Sequence, residues 1–189
     1  MDRVRELQCP LIVDLRGNPG GQSPRMEMLW NHLALKRTHL PYALVAKQSP
    51  LTARSNGRYY KRFRKRWVDK HRHHSSDARY IYTMATLPLG ETDTLFFPQK
   101  GVSPHGFRGP VAVLIDGESA SASVSFAGAI QDEQRGPLIG ESCMGPSNGT
   151  MGNPYLRVLP RSGMVVSLST AVYMAKPCDD WVDTAPIQP

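Results

Sequence analysis

The sequence predicts an α/β fold, and three observations predict it. Short runs that are apolar at nearly every position, at residues 11–15, 111–115 and 137–140, read as strands. Turns rich in glycine, proline and asparagine bound them. Helical patterns at residues 23–36 and 121–134 stand between them. At 189 residues the chain is long enough for one substantial core, and its hydrophobic content is an ordinary 40%.

The first strand lies in CPLIVDLRGNPGG, residues 9–21. Leu11, Ile12 and Val13 are uniformly apolar, as expected of a strand buried on both faces. Residues 16–22 form a turn in which Gly17, Gly20 and Gly21 permit positive φ and leave backbone N–H groups uncovered. Such a turn suits an anion or oxyanion cradle, and equally a plain tight turn; it has neither the spacing nor the lysine of a phosphate loop. Ser23 is a candidate N-cap with Pro24 at the first helical position, and Leu29 and Leu33 mark the inner face of the helix that follows. Residues 40–46 read as a second strand, and 75–104 as irregular with a short strand at 80–84.

The net charge of +7 is concentrated in one segment. Residues 54–74 hold Arg54, Arg58, Lys61, Arg62, Arg64, Lys65, Arg66, Lys70 and Arg72 against the single acid Asp69. Tyr59, Phe63 and Trp67 recur at helical spacing, with Tyr60 beside them, and predict an apolar stripe on a helix. The segment reads either as a solvated basic face or as a site for an anionic partner, nucleic acid included.

The fourth stretch is the most informative: strand 111–115 runs into DGESASASVSFAGAIQDEQRGPLIGE, residues 116–141. A serine at a strand-to-helix turn has an exposed oxygen, and the helix start offers free N–H groups and partial positive charge for an oxyanion. Serine and alanine there also serve as ordinary caps and packing residues. Helix 121–134 places Ala122, Phe126, Ala129 and Ile130 on one buried face. Residues 142–154 form a Gly/Pro/Asn loop, and strands 156–159 and 165–171 pair through the turn at 160–163.

Other features bound the function. No apolar run approaches the roughly 20 residues of a membrane span. The first eight residues lack the apolar core of a signal peptide. Cys9, Cys143 and Cys178 show no CxxC spacing, and an odd count leaves at least one unpaired in a monomer. His71, His73 and His74 lack a suitably spaced cysteine or carboxylate partner, so no metal is implied, nor an organic cofactor. His105 lies in a Pro/Gly loop, His32 and His39 in or after a helix.

The pair LIVDLRGNPGG and GPVAVLIDGESASASVSFAGAIQDEQRGPLIGE resembles peptidase family S41, the tail-specific and tricorn-type serine proteases; LPRSGMVVSLSTAVY and APIQP add weaker matches. The resemblance spans most of the chain except roughly 41–98. It implies a ClpP/crotonase-like core of repeated β-β-α units over residues 1–189, with residues 48–98 as a family-atypical insertion. It implies peptide-bond hydrolysis with Ser121, the middle serine of Ser-Ala-Ser-Ala-Ser, as nucleophile. The N–H of Ala122 is then one oxyanion donor, and Gly20 or Gly21 supplies the other. Ser119 and Ser123 become packing or capping residues. Asp183 is the match for the assisting acid, with Asp179 and Asp180 as competitors. An extracytoplasmic location also follows from the resemblance.

The chain departs from the family at two places. The position of the tail-specific lysine, twenty-five residues past Ser121, is Pro146, which cannot accept a proton, so no Ser/Lys dyad is expected. The glutamate that usually closes the serine run is Val124. The tricorn-type base is a histidine N-terminal to these motifs. The expectation is therefore a catalytic core lacking an N-terminal part that carries the base; the alternative is a non-catalytic relative that binds a peptide or apolar ligand in the same cleft.

Overall fold

A computed structural model describes residues 9–21, 23–38, 43–61, 65–73, 76–96, 102–145, 149–151, 155–174 and 186–189. In chain order the elements are β1 (Leu11–Asp14), α1 (Ser23–Leu33), β2 (Ala43–Lys47), α2 (Pro50–Tyr59), α3 (Lys65–His71), α4 (Ser76–Thr86), β3 (Thr92–Phe96), β4 (Val111–Ile115), α5 (Ala122–Asp132), β5 (Leu138–Gly140), β6 (Gly149–Met151), β7 (Tyr155–Val158), β8 (Val165–Leu168) and β9 (Ala171–Met174). The expected α/β class is what the structure shows: parallel and antiparallel sheets with helices. The chain divides into one unit of residues 1–42, 99–149 and 175–189, and a second of residues 43–98 and 150–174.

The first unit is built on a parallel sheet of order β1-β4-β5. Central β4 turns Val111, Val113 and Ile115 into the core. β1 sits at the sheet edge among the described residues, with Ile12 64% exposed and only the Leu11 and Val13 face packed inward. That corrects the expectation of a strand covered on both faces: uniform apolarity does not say how many layers lie above it. Met26, Trp30 and Leu33 of α1 recur at helical spacing and are buried, while Leu29 is only partly so. α5 is enclosed all round, from Ser123 to Ile130, rather than on one face. Its small residues permit this, and Phe126 meets Trp30 edge-on at 6.2 Å.

α1 stops three residues short of the expected end. The carbonyls of Leu33 and of Ala34, just past its end, go to two arginines instead of a further turn. The buried Arg135 donates to Leu33 O at 2.6 Å, Phe107 O at 3.1 Å and Gly109 O at 2.9 Å. Arg108 donates to Ala34 O at 2.8 Å. One guanidinium thereby ties α1, the 107–109 loop and the end of α5, using the forked donors only arginine has.

The second unit centres on a sheet of order β3-β2-β9-β6, in which β2 pairs antiparallel with β3 and β9. Residues 80–84 are not a strand but part of α4. Ala78 and Met84 of α4 are buried, and packing in the second unit overrides the β-preferring Tyr80, Ile81 and Tyr82. β3 lies instead in TDTLF, where no strand was expected. Helices do form in the basic segment, but Trp67 is 38% exposed and Val68 is fully buried in its place. Among the described residues α3 begins at Lys65; Phe63, in the middle of the expected stripe, lies outside them. β7 and β8 pair antiparallel as expected, whereas the run 165–171 divides and Ala171 opens β9 in the other sheet. Buried Gln48 donates to Met84 O at 2.7 Å and accepts from Thr52 at 2.7 Å, so its amide is satisfied at both ends.

Arg135→Ala leaves three carbonyls without their donor. It is expected to lower unfolding stability by about 3 kcal/mol in urea titrations followed by circular dichroism.

Candidate active site

β1 and β4 run parallel and in register, with Asp14 opposite Leu114. The chain therefore leaves both strands at the same edge of the sheet, the carboxyl edge where open α/β sheets place their sites. The two motifs, about a hundred residues apart in sequence, are thus neighbours. Leu15 N–H donates to Leu114 O at 2.9 Å and Ala120 N–H to Asn18 O at 3.0 Å. The fully buried Ser119 hydroxyl donates to Leu15 O at 2.8 Å.

Asp116, the first residue after β4, fastens the two loops. Its carboxylate accepts the N–H of Gly17 at 3.0–3.1 Å, and those of Glu118 and Ser119 at 3.0 Å. The Gly17 N–H, ahead of the other donors, holds its pKa below the ordinary carboxylate value. Nearby, Arg16 clasps Asp14 with two donors at 3.0 and 2.8 Å, and the Asp14 pKa falls to about 2. That pair is exposed and orders the turn's outer side.

Ser121 has φ 54° and ψ −117°. A non-glycine residue there carries roughly 1–3 kcal/mol of backbone strain. The side chain is exposed, and its hydroxyl makes no hydrogen bond among the described residues. Ala122 opens α5, so its N–H has no acceptor within the helix, and none is found among the described residues. Gly20, at φ 96°, packs against this corner. A Cβ on it would stand 2.6 Å from Ala120 O and Ser121 Cβ, and 2.8 Å from Ala122 N. Only glycine lets the first turn approach the serine this closely. The Gly20 N–H is taken by Asn18 Oδ1 at 2.9 Å, while the Gly21 N–H has no partner among the described residues.

Beside Ala122 opens a cavity of about 280 Å³. Its walls include Leu15, Met26, Leu29 and Phe126, with Gly20 and Gly21 at one side and Arg25 as the only charged residue among the described residues that line it.

Among the other candidate residues, Ser123 and Val124 are buried in α5. Burial pushes the Cys143 thiol pKa up, opposite to what an activated thiol needs. His105 is exposed in its loop. Asp183, Asp179, Asp180, Pro146, Cys178, His39 and His74 lie outside the described residues. Among the described residues no group of His, Cys, Asp and Glu is arranged to hold a metal, and no helix is long and apolar enough to cross a membrane. Asp116, Asn18 and Arg25 were not singled out from sequence. An Asp directly after a strand is a turn signal, but it does not announce an acceptor for a loop 99 residues away.

A depressed carboxylate pKa stabilises the fold above the ordinary carboxylate range, and this is lost as pH falls through the lowered value. Asp116→Asn is therefore expected to melt below the parent at pH 7. The gap should close as pH drops below about 4 in thermal melts across a pH series.

Comparison with known proteins agrees with the motif resemblance. Peptidase family S41 matches residues 3–189. A crystal structure of a CPAF mutant aligns with 95% of this chain and 37% of its own, at 16% identity and a TM-score of 0.63. Mature CPAF complexed with lactacystin aligns with 95% and 37%, at 19% identity and a TM-score of 0.57. The photosystem II D1 C-terminal processing protease aligns with 92% and 33%, at 20% identity and a TM-score of 0.48. The chain thus spans between a third and two fifths of these structures, and at such identities the two CPAF structures show the fold alone. No curated protein matches the sequence. With the family match running over nearly every residue, the chain belongs to peptidase family S41.

Proposed function

We propose that this chain carries the nucleophile and oxyanion site of a serine peptidase, which cleaves peptide bonds through an acyl-enzyme on Ser121. The single observation that carries this reading is the strained Ser121 at a strand-to-helix corner, with the free Ala122 N–H next to it. The Ser121 Oγ attacks the substrate carbonyl and gives its proton to a base. The resulting oxyanion accepts hydrogen bonds from Ala122 N–H and Gly21 N–H, Gly21 being favoured because Asn18 already occupies the Gly20 donor. The protonated base releases the amine, and water then hydrolyses the ester. The base is a histidine outside the described residues, and Asp183 is its assisting acid, both on the family resemblance. The same resemblance supports a location outside the cytoplasm, with peptides or proteins as substrates.

A non-catalytic relative that binds a peptide in the same cleft is the second reading. It is favoured by the Ser121 hydroxyl, which no base engages among the described residues. An anionic partner at residues 54–74 fits either reading. Lys61, Arg66 and Lys70 gather with Trp67 around one depression, while Lys65 is neutralised by Asp69 at 2.6 Å.

Fluorophosphonate labelling of the full gene product separates the two. The peptidase reading expects labelling that disappears in Ser121→Ala; folded protein that never labels rejects it in favour of the binding protein. Gly20→Ala forces its methyl into the Ser121–Ala122 corner. It should slow labelling roughly a hundredfold, the scale of losing one oxyanion donor, while far-ultraviolet circular dichroism stays unchanged.

A further inference from the structure

We propose that the cavity beside Ala122 selects a substrate residue bearing a carboxylate on an apolar stem, and that Arg25 is the residue that reads the carboxylate. The proposal rests on the reading of Ala122 as the point where the substrate carbonyl is held. A carbonyl oxygen at the Ala122 N–H carries its own substituent into the adjoining cavity, which Ala122, Gly20 and Gly21 also line. At about 280 Å³ the cavity is at the small end of ligand sites and suits one side chain.

Its chemistry is divided. Leu15, Met26 and Phe126 are buried and Leu29 is partly buried, which makes an apolar wall for a hydrocarbon stem. Arg25 is exposed, makes no hydrogen bond or ion pair among the described residues, and has no acid beside it in the lining. An unpaired surface arginine is ordinary in itself. This one lies in the first turn of α1, where a cation opposes the helix dipole and where no acidic residue offsets it. It therefore does not serve the helix. Its charge adds to the positive N-terminal ends of α1 and α5 at a cavity with no compensating acid among the described residues that line it. A carboxylate, from an acidic side chain or from a free peptide C-terminus, complements that field.

The test uses the full gene product with Ser121→Ala, so that peptides bind without turnover. Calorimetry compares N-acetyl-Ala-Ala-Xaa amides, Xaa being Leu, Gln, Glu or Lys, with the free acid of the Leu peptide. The Glu amide over the Gln amide reads a side-chain carboxylate; the Leu acid over the Leu amide reads a terminal one. At low salt, at least one ratio is expected to be about three- to tenfold, shrinking as salt is raised. Adding Arg25→Gln should bring that ratio to about one, and Arg25→Glu should turn the preference toward the Lys peptide. Each ratio is taken within one protein, so partial unfolding of a variant does not shift it. Ratios near one in the parent, a ratio that survives Arg25→Gln, or no binding of any peptide would overturn the proposal. Because nothing here depends on turnover, loss of the serine-peptidase reading in the labelling experiment leaves this result separately readable.

Discussion

The bond from Gly17 N–H to the carboxylate of Asp116 joins two loops that the chain separates by 99 positions. It forms because β1 and β4 pair parallel and in register, so that their ends emerge side by side. The Ser119 hydroxyl on Leu15 O and the Ala120 N–H on Asn18 O complete the same seam. Everything proposed for the site lies across it: Ser121 and Ala122 on one side, Gly20 and Gly21 on the other. A shift of the seam by the length of one hydrogen bond would separate Ser121 from the glycine turn packed against it.

The seam also explains how Ser121 persists at φ 54°. A strained residue survives only where its surroundings over-determine it. Here Ser119 is anchored before it, and α5 is enclosed on all sides after it, against a core that includes Trp30, Val113 and Ile115. Arg135 adds a further constraint at the far end of α5 by gathering the last carbonyl of α1 and the carbonyls of Phe107 and Gly109. The corner is rigid because both flanks are.

The free donors follow from the same economy of hydrogen bonds. Gly17 and Ala120 spend their N–H groups on the seam, and Gly20 on Asn18, whereas Ala122 and Gly21 have no partner among the described residues. Exposed donors are unremarkable alone. Two of them on residues that line one cavity, next to a helix start capped by an exposed, unbonded serine, form an arrangement suited to an oxyanion. In the second unit the concentrated positive charge is partly spent internally: Asp69 takes both Lys65 and the Tyr60 hydroxyl, and Arg72 lies over the Tyr82 ring at 4.3 Å.

The sequence by itself determined the α/β class, the family, strand 111–115 and the turn into the Ser121 helix, because short apolar runs and small-residue turns are local signals. It misread residues 80–84, where the β-preferring Tyr80, Ile81 and Tyr82 sit in a helix, and it missed β3. It also could not tell that β1 stands at an edge, since burial depends on what packs above a strand and not on its composition. Only the tertiary structure decided that Asp116 reaches Gly17, that Gly20 has already given its N–H to Asn18, and that Arg25 lines the cavity next to Ala122. Each is a relation between residues on different elements. Spacing along a chain carries no information about it until parallel pairing has placed those elements side by side.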